Sequence, residues 1–228
     1  MGKHKLQRFA EMKNMPHVLE PGIEESINVD YKLKGKWKKE FFGNNKDIII
    51  ELGCGKGEYT NFLAKAFPEN NYIGIDIKGA RMWRGAKTAI EENITNVAFL
   101  RTRIEWIGSF FDNEEIAEIW ITFPDPQLKM RRTKKRLTSP GFLNMYKSFL
   151  QTVNKVHLKT DSRELYEYTR ELLNNNSIEI KEDIEDLYSA KKVTTVLTTK
   201  THYETLFLNE GKKITYLQFS LDKNKNYV

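Results

Sequence analysis

The sequence predicts an α/β domain built on a mostly parallel seven-stranded sheet, with helices on both faces and an antiparallel C-terminal edge. Short β-branched apolar runs alternate with stretches of helical periodicity, which is the pattern of strands joined by crossover helices. The first run ends in a glycine-rich turn at residues 53–57, as the strand-to-helix turn at a ligand site does. The strand runs are apolar throughout, as in a sheet covered on both faces.

Taken in order, residues 1–45 are polar, basic and weakly periodic, with Pro16 and Pro21 as breakers. They read as a basic, partly flexible N-terminal extension, and 46–228 as the domain; a chain of 228 residues suits that division. Residues 47–52 form a buried strand entering the turn of Gly53, Gly55 and Gly57. Residues 58–67 place Tyr59, Phe62, Leu63 and Phe67 at helical spacing, and Pro68 closes them. Strands are predicted at 72–76, 97–100 and 116–122, with a helix over about 78–92. Ser139 and Pro140 supply an N-cap and a first-turn proline for a helix carrying Phe142, Leu143, Tyr146, Phe149 and Leu150. A strand at 155–159, a helix at 162–173 and strands at 178–180 and 214–219 complete the pattern, the last pair giving the antiparallel edge.

Composition narrows the function classes. Hydrophobic residues make up 39% and charged residues 30%, enough apolar material for a packed core. No apolar run approaches a membrane span, and the first residues lead into no apolar segment of the kind a secretory signal carries. A single cysteine, Cys54, cannot pair internally and points to a reducing compartment, so a soluble cytoplasmic protein is expected. His157 and His202 have no ligand-spaced partners, and no metal site is expected. Trp37, Trp83, Trp106 and Trp120 read as packing residues. The chain is compatible with a monomer or a homodimer.

The net charge is +6. Residues 127–136, QLKMRRTKKR, contain Lys129, Arg131, Arg132, Lys134, Lys135 and Arg136 with no acid, so this one segment equals the excess of the whole chain. A polyanion would feel that concentration of charge, although a solvated surface loop is the bland alternative.

Open α/β sheets bind ligands beyond the carboxyl ends of their strands. Glu51 stands just before the glycine turn, where a carboxylate repels a diphosphate but attracts an ammonium group; an ion pair with Lys56 is the structural alternative. Asp76 ends the second strand, where it can take both ribose hydroxyls or cap the following helix. The fourth strand ends in Thr122-Phe123-Pro124-Asp125-Pro126, whose prolines restrict the backbone around one carboxylate beside the basic run. Asp161 to Glu164 and Thr201 to Glu204 both match helix-capping patterns, the first with Asp161 as N-cap.

With ELGCGKG at 51–57, FPDP at 123–126 and its basic tail, LKTD at 158–161, THYE at 201–204 and Gly211, the sequence resembles the bacterial tRNA (guanine-N(7)-)-methyltransferase family over about residues 16–220. FPDP, a basic tail and TxYE in this order are specific to that family, whereas the glycine motif is widely shared. The resemblance implies a Rossmann-like class I methyltransferase fold and transfer of a methyl group from S-adenosylmethionine to N7 of a variable-loop guanosine in tRNA. It implies that Glu51, Gly53, Gly55, Asp76, Arg103 and Asp125 bind the cofactor, with Asp125 catalytic. It implies that Lys129, Asp161, Thr201, His202, Tyr203 and Glu204 face the guanine, leaving Arg131, Arg132, Lys134, Lys135 and Arg136 for the RNA backbone. The family usually has an acid or amide at Arg103, and often Trp-Pro where this chain has Gln127-Leu128. The N7 lone pair needs no general base, so alignment and a negative environment for the forming purinium are the expected contributions, with Asp125, Glu204 and Asp161 as candidate carboxylates. A methyltransferase for another substrate, or an inactive RNA-binding module, would be the rival readings.

Overall fold

The computed structural model describes residues 2–27, 29–191 and 193–228. The elements run α1 (Gly2–Met12), β1 (Val18–Leu19), β2 (Ile48–Leu52), α2 (Glu58–Ala66), β3 (Asn71–Ile75), α3 (Gly79–Glu91), β4 (Val97–Leu100) and β5 (Ile116–Thr122). There follow α4 (Pro140–Tyr146), β6 (Leu150–Thr160), α5 (Arg163–Asn175), β7 (Ile180–Ile184), α6 (Thr195–Thr198), α7 (His202–Asn209) and β8 (Thr215–Phe219). They form one sheet of order β1-β4-β3-β2-β5-β6-β8-β7. Every pairing from β1 to β6 is parallel, while β6–β8 and β8–β7 are antiparallel.

The sheet therefore has eight strands where the sequence predicts seven. The additional strand is β1, from the segment expected to be an extension. It joins the sheet through bonds from the Phe99 amide to the His17 carbonyl and from the Arg101 amide to the Leu19 carbonyl, both 2.8 Å. Other residues of that segment are packed too: Met12 and Trp37 are fully buried, and the Trp37 indole donates to the Phe110 carbonyl at 2.8 Å. Expected as an arm, it covers both faces of the sheet instead, because its scattered apolar residues carry no period that the sequence displays. Trp120 is buried like Trp37, and Trp83 and Trp106 are partly buried, packed against the core.

Two apolar layers sandwich the sheet. Ile48, Ile50 and Leu52 point to the layer that contains Trp37, Tyr146 and Tyr166; Ile49 points to the layer of Tyr59, Met82 and Phe99. Alternation places Glu51 on that second side, beneath α2. The chain winds from β2 outward to β3 and β4, then returns to build β5 and β6 on the other side. The order thus reverses between β2 and β5, and both strands end at the point where such sheets hold ligands.

Two boundaries differ from expectation. Leu150, predicted helical, opens β6, because α4 stops at Tyr146 and the Phe149 carbonyl accepts from the Glu115 and Ile116 amides. The strand predicted at 178–180 runs from Ile180 to Ile184 and is an edge strand with exposed charged residues, which lack the alternation that marks a half-buried strand. No helix among the described residues is long and apolar enough to cross a membrane.

Candidate active site

The loops after β2 and β5 open on one cleft of about 950 Å³. Glu51, Gly53, Gly55, Asp76 and Arg103 line one side of it, and Asp125, Asp161, Thr201 and Tyr203 the other. Arg132 and Lys135 reach its lining; Lys129, Arg131, Lys134, Arg136, His202 and Glu204 do not.

The glycine turn is fastened to β3 by the Gly53 and Cys54 amides, which donate to the Ile75 carbonyl at 2.8 and 3.1 Å. Gly53 and Gly55 adopt φ of 79° and 56°; a Cβ at Gly53 would meet nothing within 4 Å, so its backbone borders open space. Gly57 serves packing: an added Cβ would lie 2.5 Å from Phe99 and 3.1 Å from the Cα of Gly85.

Beneath the turn, Glu51 is buried at 3% exposure. The Thr60 hydroxyl donates to one of its oxygens and the Thr122 hydroxyl to the other, the latter at 2.5 Å. The Lys56 ion pair is not formed; no cation pairs with Glu51 among the described residues. Burial pushes the carboxyl up to about 7, against the lowering effect of the two hydroxyls. Asp76 accepts from the Gly55 amide at 2.9 Å and the Lys78 amide at 2.7 Å. It knots the two loops together and is not the cap of α3, whose N-cap is Lys78. The Thr102 hydroxyl, also on the lining, is buried without a partner among the described residues. Arg103 lies half-exposed, its guanidinium 5.3 Å from the centre of the Trp106 ring and 3.8 Å from Glu105.

Across the cleft, Phe123 and Gln127 hold left-handed φ of 49° and 48° on either side of Asp125. Non-glycine residues rarely stay there, at a cost of about 1–3 kcal/mol each, and such outliers cluster at functional sites. The Phe123 amide donates to the Lys159 carbonyl at 2.8 Å, and the Gln127 amide to Asp125 Oδ1 at 3.0 Å. The carboxylate is thus exposed but oriented. The basic run continues as a 3-10 helix (Met130–Lys135). Among the described residues Lys129, Arg131, Arg132, Lys134 and Lys135 have no acidic partner, but Arg136 does. Arg136 is buried, 2.8 Å from Glu164, donating to the Pro126 carbonyl at 3.0 Å and stacked on Tyr168 at 4.3 Å. The expectation that it grips RNA is corrected: it anchors the loop that displays its neighbours.

In the far wall, Ser162 caps α5 through the Leu165 amide at 3.2 Å, in place of the expected Asp161. Glu164 turns to Arg136, and Asp161 Oδ2 pairs with Lys212 at 3.0 Å. Thr201 and Glu204 form a complete capping box at α7. Glu204 is fully buried, 2.8 Å from Lys159 and accepting from the Tyr188 hydroxyl at 2.8 Å. It cannot face a guanine in this arrangement, which corrects the second expectation. Lys159, equally buried, donates to the Leu197 carbonyl at 2.6 Å; burial lowers its pKa and the Glu204 charge opposes that. His202 is exposed outside the cleft, its amide donating to Glu58 at 2.8 Å. Tyr203 sits beneath the Arg81 guanidinium at 5.6 Å.

A family model described as "Putative methyltransferase" matches residues 45–217. A tRNA (guanine-N(7)-)-methyltransferase of Christiangramia forsetii is 50% identical over 223 residues, 96% of this chain and 98% of that protein. One of Bacteroides fragilis is 47% identical over 97% of this chain and 87% of its own length. This chain belongs to the tRNA (guanine-N(7)-)-methyltransferase family. In solved structures the fold recurs in an antibiotic-related methyltransferase, with a TM-score of 0.60 at 18% identity over 88% of this chain and 98% of that one.

For a methyltransferase of this family, eleven residues singled out by the sequence gather around one cleft, from positions up to 152 apart (Glu51 to Tyr203). Residues it did not single out complete the construction. Thr60, Thr122, Lys159 and Lys212 hold the named carboxylates, and Gly85 lets α3 approach the glycine turn, its own Cβ position being 2.5 Å from the Lys56 carbonyl. Gly85 alone carried a local signal, a glycine inside a helix where alanine would be more stable.

Proposed function

We propose that this enzyme transfers the methyl group of S-adenosylmethionine to N7 of a guanine in tRNA, giving 7-methylguanosine, in the cytoplasm. The observation that carries the reading is the cleft itself, which has an acid-and-glycine pocket at one end and, at the other, an oriented carboxylate beside cations that have no acidic partner among the described residues. The pocket suits the cofactor: among the described residues Glu51 is buried without a cation and the Thr102 hydroxyl lacks a partner, and Gly53 borders open space. When bound, S-adenosylmethionine supplies an electrophilic methyl on a positively charged sulfur.

Glu51 would hold the ammonium end and Asp76 the ribose hydroxyls, with Arg103 on the remaining lining. Guanine N7 carries a lone pair and no proton, so no residue needs to act as a base. Positive charge grows on the purine during transfer, and Asp125 provides the facing negative charge; alignment of two reactants in one cleft is worth up to about 7–11 kcal/mol. Asp161, Thr201 and Tyr203 line the side where the base would enter, and Lys129, Arg131, Arg132, Lys134 and Lys135 would take phosphates. The base must leave its stack to reach the cleft.

Incubation with radiolabelled cofactor and bulk tRNA, followed by nucleoside digestion, should place the label in 7-methylguanosine. The Asp125→Ala variant should lose transfer by a factor of about 10²–10³ while binding cofactor within a few-fold. Label in another nucleoside, or normal turnover by the variant, would overturn the assignment.

A further inference from the structure

Lys212 has no part in the proposed transfer beyond holding Asp161, yet it occupies a built position in the cleft. It follows Gly211, whose φ of 74° ends α7, and its backbone is fixed by a bond from its amide to the Phe207 carbonyl at 3.0 Å. Its ammonium lies 3.0 Å from Asp161 Oδ2, 3.1 Å from Glu210, and 4.5 Å above the centre of the Phe207 ring. Phe207 packs against Phe123, the first residue of the FPDP turn, with ring centres 5.7 Å apart. Asp161, Lys212, Phe207 and Asp125 all line the same cleft. Asp161 Oδ1 has no hydrogen bond among the described residues.

A carboxylate with one free oxygen beside an ammonium on an aromatic face matches one base. Guanine presents an acceptor at O6 next to donors at N1 and N2; adenine presents a donor at position 6 and has no amino group at position 2. We propose that Lys212 joins Asp161, which the family resemblance already turns toward the base, in reading the guanine: Asp161 accepts from N1–H and the 2-amino group, and Lys212, held by Asp161 and Phe207, donates to O6. This rests on the proposed function and names the specificity element of that site. An adenine would set its 6-amino donor against the ammonium and leave Asp161 Oδ1 without a donor, and polar groups left unpaired when the base covers them are what reject a wrong substrate.

The test uses the full chain and tRNA transcripts in which the target guanosine is kept, replaced by inosine, which lacks only the 2-amino group, or replaced by 2-aminopurine, which keeps that group but lacks O6 and the N1 proton. The parent enzyme should favour guanosine by roughly ten- to hundred-fold in kcat/KM, as expected for one hydrogen bond to a charged group. Asp161→Asn should shrink the preference over inosine, and Lys212→Met the preference over 2-aminopurine, each to within about three-fold, chiefly by raising KM for the guanosine transcript, because alignment by Asp125 is untouched. Lys212→Arg should restore the latter. Lys213→Met, at a neighbouring exposed lysine paired with Asp186, serves as the control and should leave both preferences unchanged. Full discrimination against 2-aminopurine by Lys212→Met with transfer intact overturns this inference alone. Absence of transfer to guanine by the parent enzyme overturns the proposed function, and this inference with it.

Discussion

The two walls of the cleft are held by opposite means. The wall at the ends of β2 and β3 is largely backbone: the glycine turn hangs on the Ile75 carbonyl, and Asp76 gathers the amides of Gly55 and Lys78. Its shape follows from two fully buried strands in unbroken parallel register. The wall formed by residues 195–212 is assembled from side chains reaching across the chain. Lys159 holds the Leu197 carbonyl and Glu204, the Tyr59 hydroxyl donates to the Val196 carbonyl, Glu58 holds the His202 amide, and Lys212 holds Asp161. A backbone wall fails only when its strands fail. A wall hung on buried charges has single points of failure, and these separate the two regions by experiment.

Removing Glu204 should have the largest effect. Glu204→Ala leaves the Lys159 ammonium buried without its counter-charge, which costs about 3–5 kcal/mol. Urea unfolding should show that loss, and hydrogen exchange should show protection falling across residues 195–209 while 48–57 stay protected. Lys159→Met on top of Glu204→Ala should recover part of it, since no charge is then stranded. A loss below about 1 kcal/mol would mean that the far wall does not depend on this pair, and equal deprotection of both regions would erase the contrast between them.

Glu51 gives the matching experiment on the backbone wall. Its carboxyl rises from an ordinary 4.5 to about 7 in the fold, so the folded state binds a proton that the unfolded chain releases earlier. Stability is therefore greatest at and below pH 4.5, declines as pH climbs to about 7, and changes no further through this group; the span is about 3 kcal/mol. Glu51→Gln should flatten this decline, read as urea midpoints between pH 5 and 8. An unchanged slope would mean that the carboxyl is ionised at little cost and that the two hydroxyls satisfy it fully.

The contrast also explains how much of the molecule is legible in the sequence. The glycine turn, Glu51 and Asp76 lie within 26 residues, and local chemistry announces them. The partners of the far wall are 45 residues apart for Lys159 and Glu204, 137 for Tyr59 and Val196, and 144 for Glu58 and His202. No periodicity records such pairs, so THYE reads as a cap, with a substrate contact implied by the resemblance, and does not reveal that Glu204 is sealed inside. β1 escaped for a related reason: two residues with no pattern of their own become a strand only because β4 offers an edge. Arg136 reads like its neighbours until Glu164 and Tyr168 enclose it.

That last distinction supplies the smallest and sharpest prediction. Arg131, Arg132, Lys134 and Lys135 are exposed and unpaired among the described residues, whereas Arg136 is internal. Replacing those four by glutamine should leave urea stability within about 0.5 kcal/mol, weaken tRNA binding, and reduce the slope of log affinity against log salt by about 3. Arg136→Gln should do the reverse, lowering stability through the stranded loop anchor while changing the salt slope by less than one contact. If the two variants shifted the slope alike, the buried arginine would be reaching phosphate after all, and the loop would have to open when RNA binds.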